Sequence, residues 1–173
     1  DFEFVCFPSI GGVTFRRTVI PVQELLDAAG KYFKKLMKNR PERIELEIEP
    51  MEAKVIGDVN QLRFLLENLI DEALTVREDG VIRLQARKDN EYIRFLFTDT
   101  RREKSVEELN QLFYPNLARM TSGEKGELRG TEYLVCKQII RDHDEFAGRR
   151  GCRINAEPAE GGGFTVYFTI PRR

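Results

Sequence analysis

The chain has 173 residues, of which 41% are hydrophobic, and this is enough to build one core in one domain. Its 28 basic and 29 acidic residues leave a net charge of −1, so no overall field favours nucleic acid or an anionic membrane. The 3 cysteines lie far apart and predict reduced thiols in a cytoplasmic protein, and no apolar run approaches the ~18 residues of a membrane span. No signal peptide opens the chain, and its first residue, Asp1, is not methionine, so we expect a fragment of a longer protein.

The first third of the chain predicts short strands around an amphipathic helix. Alternating apolar and polar residues on either side of a glycine pair predict a β-hairpin over residues 1–20. Apolar residues at helical spacing then predict a helix over residues 21–37, with a proline in its first turn. Two alternating runs, 44–48 and 53–56, predict strands, the first with glutamates on its solvated face.

The next helix carries two separate stripes. Asp58 is suited to cap its N-terminus, and apolar residues recur at steps of three and four from Val59 to Ala73, roughly four turns. Polar residues form a second stripe on its flank: Gln61, Asn68, Glu72 and Thr75. We expect the apolar stripe to pack in the core, whereas the polar stripe is either a solvated edge or one wall of a cleft.

The second half predicts four strands and two helices. Two strands, marked by Val81 and by Phe95, are joined by a turn and lead into Thr98-Asp99-Thr100. A capping box of Ser105 and Glu108 begins a short helix that extends to Phe113. Helical spacing returns over residues 134–140, a loop is expected over residues 144–150, and strands follow from Cys152 and from Phe164.

The stretch from Gly57 to Thr75 resembles the first signature of the histidine-kinase-like ATPases, a family that includes sensor histidine kinases, gyrase-type topoisomerases and Hsp90. The family form is roughly D-x-x-x-L-x-x-x-L-x-N-L-x-x-N-A. Six residues are in register with it: Asp58, Leu62, Leu66, Asn68, Leu69 and Ala73. Glu72 departs from the pattern, because the family places there the asparagine that ligates magnesium.

The second signature, D-x-G-x-G, is matched only at its aspartate. In the family this aspartate, here Asp99, accepts a hydrogen bond from the adenine amino group. Arg101 and Glu103 replace the two glycines that let the backbone lie against the base. We expect their side chains to occupy the space of the base or to swing outward over it.

The third signature, G-x-G-x-G-L, keeps one glycine, Gly130, and has Leu128 and Glu132 at the other two positions. Glu132 falls in the first turn of a helix, where its carboxylate would occupy the positive end of the dipole. A phosphate ~4 Å away would be repelled by roughly 4 kcal/mol at an effective dielectric constant of ~20. We therefore expect the phosphate position to be unfavourable.

The resemblance also suggests roles for residues outside the signatures. Residues 116–129 resemble the lid over the nucleotide, where Lys125 and Arg129 could reach a phosphate or could simply be solvated. His143, the only histidine, matches a histidine near the end of this helix in many kinases, and we expect a structural role capping that helix end. The final run, E-G-G-G-F-T-V-Y-F-T-I-P, resembles the ending of sensor kinase domains.

The resemblance implies an α+β fold, a two-layer α/β sandwich whose mixed β-sheet carries helices on one face. We expect an N-terminal hairpin, residues 1–20, packed on an ATPase-like domain, residues 21–173. The first functional hypothesis is a degenerate, pseudokinase-like ATPase domain of a bacterial two-component sensor protein, with no catalytic residue and no cofactor. Its vestigial nucleotide site would comprise seven residues: Asn68, Glu72, Asp99, Arg101, Glu103, Gly130 and Glu132.

Two alternatives stay open at this point. The domain could be an active but divergent histidine kinase that binds ATP and magnesium, with Glu72 as the metal ligand. The emptied cleft could instead accept another small ligand. Under the first hypothesis the partners are proteins: an upstream helical segment, a second copy, or a response regulator. No nucleic acid and no direct membrane contact is expected, and the domain would be cytoplasmic, either free or as part of a membrane-anchored sensor.

Overall fold

The computed structural model describes residues 14–115 and 130–173 in full and residues 5–8 by their backbone. These ranges contain eight strands and four helices. The strands are β1 Val5–Pro8, β2 Thr14–Pro21, β3 Ile44–Ile48, β4 Lys54–Gly57, β5 Gly80–Asp89, β6 Tyr92–Asp99, β7 Ile154–Pro158 and β8 Phe164–Pro171. The helices are α1 Val22–Met37, α2 Val59–Ala73, α3 Val106–Gln111 and α4 Glu132–Phe146. None of these helices has the length and apolar character needed to span a bilayer.

The main sheet has five strands in the order β3-β5-β6-β8-β7. Strand β3 pairs parallel with β5, and the other neighbours pair antiparallel, so the sheet is mixed as predicted. A second sheet has the order β1-β2-β4, and its β1–β2 pairing confirms the predicted N-terminal hairpin. The expected glycine turn and residues 1–4 lie outside the described residues, and the division of the chain at residue 20 stays a prediction.

One hydrophobic core joins the helices to one face of the main sheet. Alternate residues of β5 and β6, such as Leu84 and Phe95, are fully buried together with the apolar stripe of α2. The rings of Phe95 and Phe168 stack with centroids 4.8 Å apart across β6 and β8. Period-two burial in the strands and helical burial in α2 therefore produce the two-layer α+β architecture that the sequence predicts.

Several boundaries differ from the sequence-based expectations. Helix α4 continues to Phe146, so Asp144 belongs to its last turn and not to the following loop. Asp144 accepts hydrogen bonds from the backbone N–H groups of Gly151 and Cys152, at 2.6 and 3.1 Å, which folds that loop back onto the helix. Helix α3 ends at Gln111 instead of residue 113, and on β5 the inward-facing residue is Ile82 instead of residue 81.

His143 connects α4 to the start of α2. Its side chain is fully buried, its Nδ1–H donates to the carbonyl oxygen of Ile139 at 2.8 Å, and its Nε2 accepts from the backbone N–H of Asp58 at 3.0 Å. Burial lowers the pKa of His143 to about 4, against smaller opposing effects of the Ile139 carbonyl and of the Asp58 charge. The expectation of a structural role is confirmed, but the expectation that His143 caps the helix end is wrong.

Gly57 makes that connection possible. A Cβ atom at this position would lie 2.7 Å from Nε2 of His143, which is far inside van der Waals contact. Asp58 then caps α2 as predicted, because its Oδ1 accepts from the backbone N–H of Gln61 at 3.0 Å. Its other oxygen, Oδ2, accepts from the backbone N–H of Arg16 on β2 at 2.7 Å. The start of α2 is therefore fixed to both neighbouring elements.

Candidate functional site

The candidate site lies where α2, the end of β6 and the start of α4 meet. Asp99 is the last residue of β6 and is 3% exposed. A small cavity beside it is lined by Glu72 from α2 and by Tyr133 from α4, among other residues. The structure thus brings Glu72, Asp99 and the first turn of α4 together, as the order of the signatures predicts.

The side chain of Arg101 binds the carboxylate of Asp99. Its Nε donates to Oδ1 at 2.9 Å, and its Nη2 donates to Oδ2 at 2.9 Å, which forms a two-point ion pair. The backbone N–H of Arg101 adds a third bond to Oδ1 at 3.0 Å. The two side chains are 1% and 4% exposed, so this ion pair is buried.

The remaining guanidinium donors of Arg101 bind the last residue of α2 and the chain just after it. Nη1 donates to the carbonyl oxygens of Val76 and Glu78 at 3.0 and 2.9 Å, and Nη2 donates to that of Ala73 at 2.6 Å. A guanidinium has five N–H groups, and each of them here has an acceptor within the protein. The sequence analysis allowed two orientations for the Arg101 side chain, inward or outward. The side chain turns inward, so the outward orientation is wrong for Arg101.

The absence of a side chain at Gly80 leaves room for the side chain of Arg101. A Cβ atom at Gly80 would lie 2.5 Å from Cγ of Arg101, and Gly80 has φ +146°, which L side chains rarely adopt. The aliphatic part of Arg101 therefore lies directly across the first residue of β5. Sequence reasoning identified Gly80 only as part of a turn and missed its fit to Arg101.

The first turn of α4 is acidic, as predicted. Glu132 is the first residue of the helix, and its Oε2 is buried without a hydrogen-bond partner among the described residues. Burial raises the pKa of the neighbouring Cys136 thiol, and the charges of Glu132 and Glu72 raise it further. The carboxylates of Glu72 on α2 and Glu132 on α4 thus both raise the pKa of the buried Cys136 thiol.

The other predicted site residues are less central. The Nδ2 of Asn68 donates to the carbonyl oxygen of Phe64 at 2.7 Å, so this amide group bonds to its own helix. Glu103 lies toward Gly162, in the turn before β8, and does not line the cavity. Gly130 is buried with φ +74° directly before α4. Leu128 and the expected lid residues Lys125 and Arg129 lie outside the described residues.

Several cavity-lining residues were missed as site residues by the sequence reasoning, among them Arg102, Lys104, Tyr133 and Phe164. The Nζ of Lys104 lies 5.4 Å from the centroid of the Phe164 ring, and Phe113 packs edge-on against Tyr133 with centroids 5.7 Å apart. Lys104 directly follows the second signature and Tyr133 directly follows the glycine positions of the third, and this position is the sequence signal that could have identified them.

The cavity beside Asp99, as the described residues line it, is too small for a nucleoside triphosphate. The cavity volume is about 50 Å³, whereas small-molecule pockets are typically ~300–1,000 Å³. Oδ1 of Asp99 accepts two hydrogen bonds from Arg101 and Oδ2 accepts one, so three of the about four acceptor positions of this carboxylate are taken. Within the described ranges, no group of three or more His, Cys, Asp or Glu side chains is arranged to hold a metal ion.

Comparisons with known proteins agree with this architecture. Residues 57–173 match the model of a family described as histidine kinase-, DNA gyrase B-, and HSP90-like ATPase. The mycobacterial sensor histidine kinase MprB superposes with a TM-score of 0.70 at 18% identity, over 91% of this chain and 98% of that chain. The nucleotide-free catalytic domain of histidine kinase ThkA gives a TM-score of 0.69 at 21% identity, over 90% and 97%.

A larger ThkA structure, its complex with the response regulator protein TrrA, gives a TM-score of 0.68 at 19% identity, over 92% of this chain and 43% of that chain. The comparison with curated proteins gave no match. At these identities the solved structures establish a shared fold, and the residues of the site must be judged from their own contacts.

Proposed function

This chain belongs to the family of histidine kinase-, DNA gyrase B-, and HSP90-like ATPases, and from that premise we propose that it is a degenerate member. In this proposal it forms the ATPase-like domain of a sensor-histidine-kinase-like signalling protein, and its nucleotide binding is weak or lost. It acts by contacting other proteins and needs no cofactor. The observation that carries the proposal is the buried ion pair between Arg101 and Asp99.

The ion pair acts against nucleotide binding because adenine would need the carboxylate that Arg101 holds. Breaking a buried ion pair by removing one partner costs about 3–5 kcal/mol. A penalty of that size corresponds to about two to four decades of affinity. The guanidinium would also leave the carbonyl groups of Ala73, Val76 and Glu78 without their donor.

The acidic residues support the same proposal at the phosphate end. Glu132 places a carboxylate at the N-terminus of α4, where backbone N–H groups and the helix dipole would otherwise favour an anion. Glu72 brings a second negative charge to the cavity. A triphosphate entering from this side would be repelled by these two carboxylates, while Arg102 and Lys104, which also line the cavity, would attract it.

Isothermal titration of the purified chain with ATP and with ADP, each with and without Mg²⁺, tests the proposal. We expect no saturable binding below about 1 mM nucleotide. Amide hydrogen exchange on the same sample should show protected amides in β5 and β6, which establishes that the domain is folded. Micromolar binding of either nucleotide would overturn the proposal.

The main alternative is an active, divergent histidine kinase in which Glu72 ligates magnesium and Asp99 binds adenine. The observation in its favour is that Glu72 and Asp99 line the same cavity, and carboxylates are good magnesium ligands. This alternative requires that Glu72→Ala and Asp99→Asn each abolish nucleotide binding in a folded domain. A different small ligand is not supported, because about 50 Å³ holds only a few water molecules.

The partners in this proposal are proteins. The sequence contains one histidine, and because His143 is 0% exposed it cannot serve as a phosphoacceptor in the folded domain. Any acceptor histidine must therefore lie outside this sequence, and we propose an upstream helical segment or another chain as its location. A response regulator is a further candidate partner, since the ThkA relative was solved in complex with one.

A further inference from the structure

A pocket lies where β2, β4, the end of β8 and the turn after α4 meet. Its volume is about 260 Å³, and none of its lining residues lines the cavity beside Asp99. Within the described ranges no acidic side chain lines it. Three of its lining residues are arginines and three are apolar: Arg17, Arg149 and Arg172, and Ile56, Ala147 and Pro171. The pocket therefore combines positive charge with an apolar surface.

The backbone of Arg172 is fixed on both sides. Its N–H donates to the carbonyl oxygen of Glu91 at 2.9 Å, and Arg172 forms a β-bridge with Val55 of β4. The next residue, Arg173, donates its N–H to the carbonyl oxygen of Lys54 at 3.0 Å. The side chain of Arg172 is exposed, and no carboxylate of residues 14–115 or 130–173 forms an ion pair with it. Its guanidinium is therefore available to a ligand at a fixed place in the fold.

Arg17 reaches the pocket from β2 and contacts the end of α4. Its Nη1 donates to the carbonyl oxygen of Phe146 at 3.3 Å. The same nitrogen lies beside Gly148, where a Cβ atom would be 3.4 Å away. The C-terminal end of a helix carries partial negative charge, which opposes an anion. Arg17 offsets this charge, because it binds one of the last carbonyl groups of α4.

Glu91 competes with an anion for Arg149. Nη1 of Arg149 lies 2.5 Å from Oε2 of Glu91 and donates to its carbonyl oxygen at 3.2 Å. The two side chains are 43% and 68% exposed, and exposed ion pairs contribute little to stability, so Arg149 can exchange this carboxylate for a ligand. Two carboxylates at the end of α4, Asp144 and Glu145, are ion-paired with Arg150 at 2.9 and 3.1 Å, and neither lines the pocket.

Charge and shape together select a phosphate monoester. The three guanidinium groups and the single carboxylate of Glu91 leave a net charge of about +2, which the charge of about −1.5 to −2 on a phosphate monoester balances. Planar guanidinium groups also suit phosphate, because each can donate two parallel hydrogen bonds to its oxygens. The apolar lining contacts the organic part of the ester. The volume of about 260 Å³ limits that part to a small group.

We propose that the pocket between Arg17, Arg149 and Arg172 binds a small molecule that carries a phosphate monoester group. The three guanidinium groups donate hydrogen bonds to the phosphate oxygens, and the organic part of the ligand lies on the apolar lining. Glu91 leaves Arg149 when the ligand binds. This inference does not depend on whether the cleft at Asp99 binds nucleotide.

Phenyl phosphate is the probe, and benzoate, which has the same ring and one negative charge, is its control. Isothermal titration should give a Kd of about 1 mM or lower for phenyl phosphate and at least about tenfold weaker binding for benzoate. In NMR spectra phenyl phosphate should shift the amide resonances of Gly148 and Arg172. Inorganic phosphate should bind at least about threefold more weakly, because it lacks the ring. Equal binding of phenyl phosphate and benzoate would overturn the proposal, and equal binding of inorganic phosphate would overturn the assignment of an ester.

A matched pair of variants locates the site. Arg172→Met removes an exposed guanidinium that lines the pocket, and Arg63→Met removes an exposed guanidinium of α2 that does not. The first variant should lose at least about tenfold in affinity for phenyl phosphate, and the second should bind it as the parent does. Equal loss in both variants would overturn the proposal, because the attraction would then be general. Unchanged affinity in Arg172→Met would also overturn it.

Glu91→Gln tests the competition for Arg149 and should raise the affinity for phenyl phosphate by about threefold or more, because it removes the competing charge. Unchanged or lower affinity in this variant would contradict the proposal. A loss of affinity in Arg102→Met but not in Arg172→Met would place the phosphate in the cavity beside Asp99 and would overturn it. Protected amides in β5 and β6 establish that each variant is folded.

Discussion

Arg101 and Asp99 are only two positions apart in the sequence, yet their ion pair joins three parts of the fold. The guanidinium binds the carboxylate at the end of β6 and, through Ala73, Val76 and Glu78, the chain that leaves α2. Its contribution is therefore structural as well as electrostatic. A buried charge whose partner is removed becomes strongly destabilising, because nothing else compensates it.

Arg101→Met should lower the free energy of unfolding by about 3–5 kcal/mol, since Asp99 would keep a buried charge without its partner. Urea denaturation followed by circular dichroism measures the change. The neighbouring Arg102→Met, at an exposed position, should stay within about 0.5 kcal/mol of the parent. The double variant Asp99→Asn/Arg101→Met should be less destabilised than the sum of its single changes, and simple additivity would show that the two side chains act independently.

The neutral state of His143 makes stability depend on pH. The pKa is about 4 in the folded protein against 6.5 for an ordinary histidine. The unfolded chain therefore takes up a proton first as the pH falls. The stabilisation is complete above about pH 6.5 and is lost progressively down to about pH 4, with a total of about 3 kcal/mol.

His143→Gln should remove this dependence, because glutamine does not titrate. The measurement is the free energy of unfolding of parent and variant at several pH values between about 4 and 7. The parent's stability relative to the variant should decrease as the pH falls, by up to about 3 kcal/mol. A constant difference would mean that His143 is not held neutral by the fold.

At the scale of elements, the start of α2 has more partners than an ordinary helix N-terminus. Asp58 caps the helix, binds the backbone of β2 through Arg16, and donates its own N–H to His143. Ser105 caps α3 within a capping box, and its contacts are local and exposed. Asp58 therefore connects α2 to other elements, whereas Ser105 contacts only its own helix. The two caps can be compared directly.

Asp58→Ala should lower the free energy of unfolding by about 2–4 kcal/mol, since it removes a cap worth about 1 kcal/mol and a hydrogen bond of a charged, buried group. Ser105→Ala should cost about 0.5–1 kcal/mol. Urea denaturation of both variants measures the two losses in the free energy of unfolding. Equal losses would show that the bond from Asp58 to β2 adds nothing.

The elements themselves could be predicted from the sequence because their signals are local. The cap at Asp58, the capping box at Ser105 and the alternation in β6 each lie within a few residues. The end of α4 could not be predicted from the sequence. Asp144 stays helical through its bonds to the backbone N–H groups of Gly151 and Cys152, which lie beyond the loop. The sequence shows the residue types there but not the loop's return to the helix.

The site could be predicted only as far as its backbone positions. The signatures place Asp99 and Glu132 at the ends of two elements, and both lie there. The inward turn of Arg101 could not be predicted, because it depends on carbonyl groups after α2 and on the missing side chain at Gly80. Side-chain direction at a substituted signature position is set by such distant partners.

At the scale of the whole molecule, the fold of an ATPase is combined with a site whose aspartate, Asp99, forms a buried ion pair with Arg101. The sheet, the helices and their order match sensor kinases, and the family match covers residues 57–173. The fold needs the apolar stripes of its elements, whereas nucleotide binding needs a few residues at their ends. The residues that bind nucleotide can therefore change while the apolar stripes that build the fold are kept.

Incubation of the chain with γ-labelled ATP and Mg²⁺ should give no labelled protein, because Arg101 binds the carboxylate of Asp99 and His143 is fully buried. Autoradiography after denaturing electrophoresis is the readout. The His143→Gln variant should be indistinguishable from the parent in this assay. Label that is present in the parent and absent from the variant would identify His143 as an acceptor and refute this prediction.

The fit between Gly80 and Arg101 links two positions that are not adjacent in sequence. A homologue with arginine at the position of Arg101 and any side chain at the position of Gly80 could not place the guanidinium as it lies here, since that side chain would collide with it. An arginine in this conformation therefore requires a glycine at the first position of β5. The identity of that one strand residue would thus separate sequences in which such an arginine can bind the aspartate at the end of β6 from sequences in which it cannot.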